Sequence, residues 1–314
     1  MNATTAGAAP VLNTHADSVT KKATKRVKRQ HRKLADATYY WMVWPFVILF
    51  AIFQTLPMLI GIFFSFTNYA GYGKWHMVGF SNYANLFQDD RALHSYIFTF
   101  LFSIVATILT NVISLAVALL LNAKIKFRNF FRGVFFIPYV LSMLIIGYVF
   151  QFFFSKSVPK IFSSIPLLRD NILTNEHWAW LPIVIVTVWQ ACAFAIIIYL
   201  AGLQTIPQDI YEAASLDGAT GFKAFKSITL PLIMGYVTVN VVLNVKNFMQ
   251  AFDQIVALTD GGPGTATESV TLQIYNGGFT GGEFAYQSAD AALLFIVITI
   301  ISLIQLKVLN PKED

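Results

Sequence analysis

Six apolar stretches, each about 20 residues or longer, recur along the chain at 41–66, 97–121, 131–154, 181–203, 232–256 and 286–309. A helix of that length spans the roughly 30 Å of bilayer hydrocarbon. The alternating apolar and polar period of a membrane β-barrel is missing. The pattern predicts an all-α integral membrane protein with six transmembrane helices. Between the fourth and fifth stretches lies "YEAASLDGATGFKAFKSITLP", residues 211–231, small, polar and twice interrupted by Gly. Its first part, 206–217, reads as a short helix with Pro207 at the first position and Asp209 and Glu212 in the opening turns, stopped by Gly218. Thr220 then caps a second short helix that ends before Pro231. A pair of short helices tied to spans at both ends transmits a push that a flexible loop would absorb.

Composition supports a second solvent. Hydrophobic residues make up 56% of the 314 and charged residues only 12%, against about 25% charged in an ordinary soluble domain. The first stretch is too long, and starts too late, for a cleaved signal peptide. The single Cys192 falls inside the fourth stretch, so disulfides contribute nothing. The net charge of +6 is asymmetric. Eight of the 22 Lys and Arg lie in residues 21–33; Lys124, Lys126, Arg128 and Arg132 border the loop between the second and third spans; Lys223 and Lys226 lie in 211–231, and Lys307 and Lys312 close the chain. The opposite side holds Lys74, Arg91, Lys156, Lys160 and Arg169. Sixteen against five places both termini and the 211–231 segment in the cytoplasm, with no role for nucleic acid. Residues 1–36 predict a disordered basic cytoplasmic tail that serves topology and headgroup attraction. Residues 37–314 form one membrane domain.

Outside the membrane, "VGFSNYANLF" at 78–87 predicts a short amphipathic helix at the outer interface. Residues 155–179 predict irregular chain with short helical pieces. "LTDGGPGTATES" at 258–269 predicts a sharp turn at the outer mouth.

Polar residues cluster in the fifth span. Asn240, Asn244 and Asn247 recur at helical spacing on one face; Lys246, Gln250 and Asp253 do so on an adjacent one. Such groups are expensive in lipid and must face protein or water. Their carboxamides suit sugar hydroxyls, and Lys246 adds donors. Two readings stay open: they line a path for a polar solute, or they hold helices together, with Lys246 satisfied by Asp253 or Gln250. Gln190, Trp189 and Asn111 are weaker candidates of the same kind. No phosphate loop of the G-x-x-x-x-G-K-[ST] type and no His/Cys cluster occurs, so the chain carries neither a site for ATP hydrolysis nor a metal centre.

The spacing E-A-A, three residues, G, then nine residues to I-x-L-P resembles the EAA loop of permease subunits in binding-protein-dependent ABC importers. Glu212, Ala213, Ala214, Gly218, Ile228, Leu230 and Pro231 match it position by position. "GFSNYANLF", "FRGVFFIPYVLS", "LTDGGPGTATES" and the sixth span resemble the sugar-importer branch, similar to the maltose and glycerol-phosphate permeases, over about 39–309. The resemblance implies a multi-pass subunit of a bacterial or archaeal inner membrane. Its partners would be a second related permease, two cytoplasmic ATPase subunits that bind ATP and Mg, and an extracellular solute-binding protein. The chain would bind no cofactor of its own and would form half of a path for a sugar, an oligosaccharide in the first instance. Glu212, Ala213, Ala214, Gly218, Leu230 and Pro231 would couple it to the ATPase. Asn240, Asn244, Lys246, Asn247, Gln250 and Asp253 would line the path. The outer loops are short, which weakens any carry-over of binding-protein contacts. The rival readings are an ABC permease for another small solute and a proton-coupled carrier using Lys246 and Asp253.

Overall fold

The computed structural model describes residues 40–123 and 126–309, so the tail predicted at 1–36 and both chain ends lie outside the described residues. By internal contacts the chain divides into two units, 1–60 and 61–314. The first is represented among the described residues only by residues 40–60, most of helix α1, Tyr40–Phe64.

In the second unit the order is α2 (Ser81–Leu86), α3 (Asp90–Asn122), α4 (Arg128–Val140), α5 (Met143–Ile161), α6 (Trp180–Gln204), α7 (Gln208–Leu216), α8 (Gly221–Leu232), α9 (Met234–Met249), α10 (Asp253–Leu258), α11 (Val270–Tyr275) and α12 (Phe284–Leu309). The described residues contain no strand, only an isolated bridge between Thr67 and Met77. Helix α2 falls within the segment expected at 78–87, and 155–179 holds short turns at Pro166–Arg169 and Ile172–Thr174. The core lies where α3, α6, α9 and α10 meet, with Ala106, Ile183, Val186, Tyr199, Phe248 and Ile255 buried together.

Four of the expected spans are unbroken helices, α1, α3, α6 and α12. The other two are present as bent pairs rather than as single helices. The stretch at 131–154 is a pair, α4 and α5, bent by 92° at Leu141 and Ser142. The stretch at 232–256 is cut twice. A 70° bend at Ile233 separates α8 from α9, and α9 ends at Met249 before α10 restarts at Asp253. A hydropathy window averages composition and is blind to direction, so an apolar run that turns reads like one that continues.

The bend at Leu141 frees carbonyls that need donors in an apolar setting. Gln190 of α6 supplies them: its Nε2 donates to the Leu141 carbonyl at 2.9 Å and to that of Pro138 at 3.3 Å. Gln190→Ala is expected to cost about 1–3 kcal/mol, the range for orphaned buried polar groups. Thermal unfolding in a fixed detergent checks it, and an unchanged midpoint would remove Gln190 from this role. Asn111 is likewise used in packing, accepting from Tyr199 Oη at 2.6 Å and donating to the Thr107 carbonyl at 2.8 Å.

Three π-turns each end two residues before a proline: Ala51–Thr55 before Pro57, Phe153–Ser157 before Pro159, and Phe225–Thr229 before Pro231. A proline inside a helix lacks an N–H and its ring clashes with the carbonyl one turn earlier; widening that turn moves the carbonyl aside. The expectation that the second loop helix ends before Pro231 is therefore corrected. Helix α8 passes through Pro231 and stops only at Leu232.

Candidate functional site

The 211–231 segment is a braced hairpin. Pro207 is the N-cap of α7 rather than its first residue, and the helix runs from Gln208. Gly218 closes it in the left-handed region at φ +73°. There the Ala219 N–H reaches back to the Ala214 carbonyl at 2.9 Å and the Gly218 N–H to that of Ser215 at 3.2 Å, the pattern of a glycine-terminated helix. Thr220 has extended backbone at the start of α8 but makes no side-chain cap bond. Tyr211 Oη and the buried Thr229 Oγ1 lie 3.0 Å apart and tie α7 to the π-turn of α8.

Both ends of the hairpin are short tethers. Thr205, Ile206 and Pro207 alone separate α6 from α7, and Ile206 packs against the core. Ile233 alone separates α8 from α9, and it is fully buried. Just above, a Cβ at Gly202 of α6 would lie 2.6 Å from the ring of Tyr236 on α9, so only glycine allows that approach.

Of the six residues expected to couple, Glu212, Ala213, Gly218 and Pro231 are exposed, Leu230 is half-buried and Ala214 is buried. The Glu212 carboxylate receives only a bond from Gln208 on its own helix, Nε2 to Oε1 at 3.0 Å. Leu216 and Phe222 stand 89% and 77% exposed on either side of Gly218. Exposed apolar side chains beside an accessible carboxylate are a general mark of interaction surfaces.

The six fifth-span residues separate into two sets. Asn240 and Asn244 are buried, Asn240 donating to the Ala195 carbonyl at 3.3 Å. Lys246, Asn247 and Gln250 are exposed, and so is Asp253 past the break. The lower half of α9 thus buries its polar groups, and the upper half presents them outward. The Lys246–Asp253 pair considered from sequence does not form: the ion pairs among the described residues are Arg91–Glu268 and Arg169–Asp170.

Residues 110–314 match the family described as binding-protein-dependent transport system inner membrane component. The chain belongs to this family. The multiple sugar-binding transport system permease protein MsmF of Streptococcus mutans is 37% identical over 281 residues, which cover 87% of this chain and 97% of that protein. The trehalose/maltose transport system permease protein MalF of Thermococcus litoralis is 32% identical over 295 residues, 93% of this chain and 98% of that one. In fold, the chain resembles a subunit of a bacterial ABC transporter involved in import of the acidic polysaccharide alginate, with TM-score 0.77 and 24% identity over 93% of this chain and 100% of that one.

This inner membrane component also carries a charged cluster, most of it just outside the apolar windows. Glu268, 4% exposed, accepts two bonds from Arg91, from Nε at 2.8 Å and Nη2 at 2.6 Å. Asp89 caps α3 through the N–H groups of Arg91 and Ala92 and accepts from Tyr286 Oη at 2.7 Å. Burial works against ionising Asp89, but these hydrogen bonds outweigh it and hold the carboxyl below its usual range. Asp290 is fully buried and accepts from Tyr96 Oη at 2.8 Å. Asp290 is absent from the residues expected from sequence, although a carboxylate inside the sixth window is an ionisable group of the same kind as those on the fifth span.

The segment 258–269 turns sharply, as expected, with positive φ at Asp260, Gly261 and Gly264. It is closed on itself, Thr267 Oγ1 donating to the Gly262 carbonyl at 2.7 Å, and tied to the link just past α9, Ser269 Oγ donating to the Ala251 carbonyl at 2.7 Å.

Proposed function

We propose that this chain is the translocation subunit of an ATP-driven sugar importer, forming half of the path for an oligosaccharide. It would pair with a second, related permease. Two cytoplasmic ATPase subunits, which bind the ATP and Mg, would dock on α7 and α8, and an extracellular binding protein would deliver the solute. The chain would sit in a bacterial or archaeal inner membrane with both termini in the cytoplasm, as its basic residues favour. It would move solute rather than catalyse a reaction, and no cofactor of its own enters.

One observation carries the reading: α8 and α9 form a bent rod joined only through Ile233. One end is the exposed hairpin with Glu212. The other, about 18 Å along α9 at 1.5 Å per residue, exposes Lys246, Asn247 and Gln250. A push on the hairpin, braced by Tyr211 and Thr229, would tilt α9 and move those groups relative to the solute. Their donors and acceptors suit sugar hydroxyls. The sugar-transport names of MsmF and the Thermococcus MalF support the substrate class.

Uptake of a labelled maltooligosaccharide by cells with and without the gene tests the reading. Uptake should require the gene and ATP and survive collapse of the proton gradient. Dependence on the gradient instead would favour a carrier, and competition only by non-sugar solutes would favour another substrate. Lys246→Ala and Gln250→Ala are expected to change apparent sugar affinity, by up to about tenfold for a lost charge-assisted hydrogen bond. The buried Asn244, whose Nδ2 has no partner among the described residues, should instead tolerate Leu without a change in affinity. The reverse result would exclude the exposed face from the path.

A further inference from the structure

A groove runs along α4 between α3 and α6. Its larger part is a cavity of about 590 Å³ walled by apolar side chains, among them Ile113, Val134, Val188 and Ile196. It continues into a recess of about 440 Å³, which shares Phe135, Ala193 and Ile196 with it and ends at Arg132 and Gln204. Both volumes fall in the range of small-molecule sites, about 300–1,000 Å³. The apolar part alone would carry no inference, since lipid tails fill any such crevice.

Arg132 makes the groove specific. Its Nε and Nη2 are shielded from solvent and have no hydrogen-bond partner among the described residues. A guanidinium cannot shed its charge, and donors left unpaired in an apolar setting are costly. They suit an acceptor with paired oxygens, as a phosphate or a carboxylate presents. Arg128, one turn earlier, and Lys126 are exposed beside it and strengthen the field that draws an anion. The geometry points to a binding site for an anionic phospholipid, its phosphate on Arg132 and one acyl chain in the cavity between α3, α4 and α6. An inorganic anion would satisfy Arg132 and leave the cavity empty. A zwitterionic lipid would bring an ammonium group against a basic cluster. The anionic phospholipid answers both halves of the groove, and this inference is independent of which solute is carried.

The test is lipid retention by the full-length chain, purified in mild detergent with its co-expressed subunits and read by native mass spectrometry. Phosphatidylglycerol should be retained over phosphatidylcholine. Arg132→Gln should lower that preference about tenfold, as for a lost charge-assisted pair. Val134→Trp, which fills the cavity, should release both lipids. Should Arg132→Gln fail to fold, competition on the unaltered protein decides the matter: free inorganic phosphate should not displace phosphatidylglycerol. Equal retention of the two lipids, displacement by phosphate, or an unchanged preference in Arg132→Gln would overturn the site.

Discussion

Arg91→Ala is expected to destabilise the protein by about 2–3 kcal/mol, and Glu268→Gln by only about 1 kcal/mol, although the two residues form one ion pair. The asymmetry follows from burial. The Arg91 side chain is 53% exposed and that of Glu268 is 4% exposed. Without Glu268 the guanidinium turns to water and keeps its hydration. Without Arg91 a carboxylate stays in a closed site with both oxygens unpaired, and that loss is the greater of the two. An exposed pair would be worth little either way; this one is bidentate and half enclosed. Glu268 adjoins Thr267, which closes the turn internally onto Gly262, and Ser269, which ties 258–269 to Ala251. Loss of Arg91 should therefore also speed amide exchange across that segment. Thermal unfolding and hydrogen exchange of both variants check this, and equal or reversed losses would show that burial does not govern the pair.

The existence of six apolar stretches was legible because about 20 apolar residues have no cheaper place than a bilayer. Their breaks were not. "IPYVLSML" around the 92° bend is as apolar as a straight span, and the donor that makes the bend tolerable, Gln190, lies about fifty residues away in sequence. The fate of polar groups on α9 was half legible. Helical spacing put Asn240, Asn244 and Asn247 on one face, but neighbours decide which part of a face is covered, and they cover Asn240 and Asn244 while leaving Asn247 bare. Glu268 was out of reach, because its partner is 177 residues distant and nothing local marks it. The hairpin at 211–231 was the most legible feature, since a left-handed glycine, small residues and a distant proline are all local requirements. Even there the proline misled: it does not stop α8, because the π-turn before it removes the clash.

Gly218→Val is expected to abolish most solute uptake while Gly218→Asn retains it, with both variants inserted in the membrane at normal levels. At φ +73° the backbone of residue 218 is left-handed, which costs a β-branched residue about 1–2 kcal/mol and which Asn tolerates. A Cβ there would meet no atom within 4 Å, so side-chain volume inside the chain is not at issue. The strained Val variant would relax by opening the Ala214–Ala219 and Ser215–Gly218 hydrogen bonds, and α7 would lose its fixed angle to α8. Because α8 reaches α9 through Ile233 alone, a loosened hairpin would absorb the push that the proposed function assigns to a rigid one. Glu212→Ala provides the complementary case. Its carboxylate touches only Gln208 of the same helix, so the substitution should alter stability by no more than about 0.5 kcal/mol, as at an ordinary surface position. A fall in uptake without a fall in stability would assign Glu212 to contact with another subunit, and the same fall in Gly218→Val but not Gly218→Asn would assign the glycine to hairpin geometry. Normal uptake in both Glu212→Ala and Gly218→Val would show that force does not enter the membrane domain through α7 and α8.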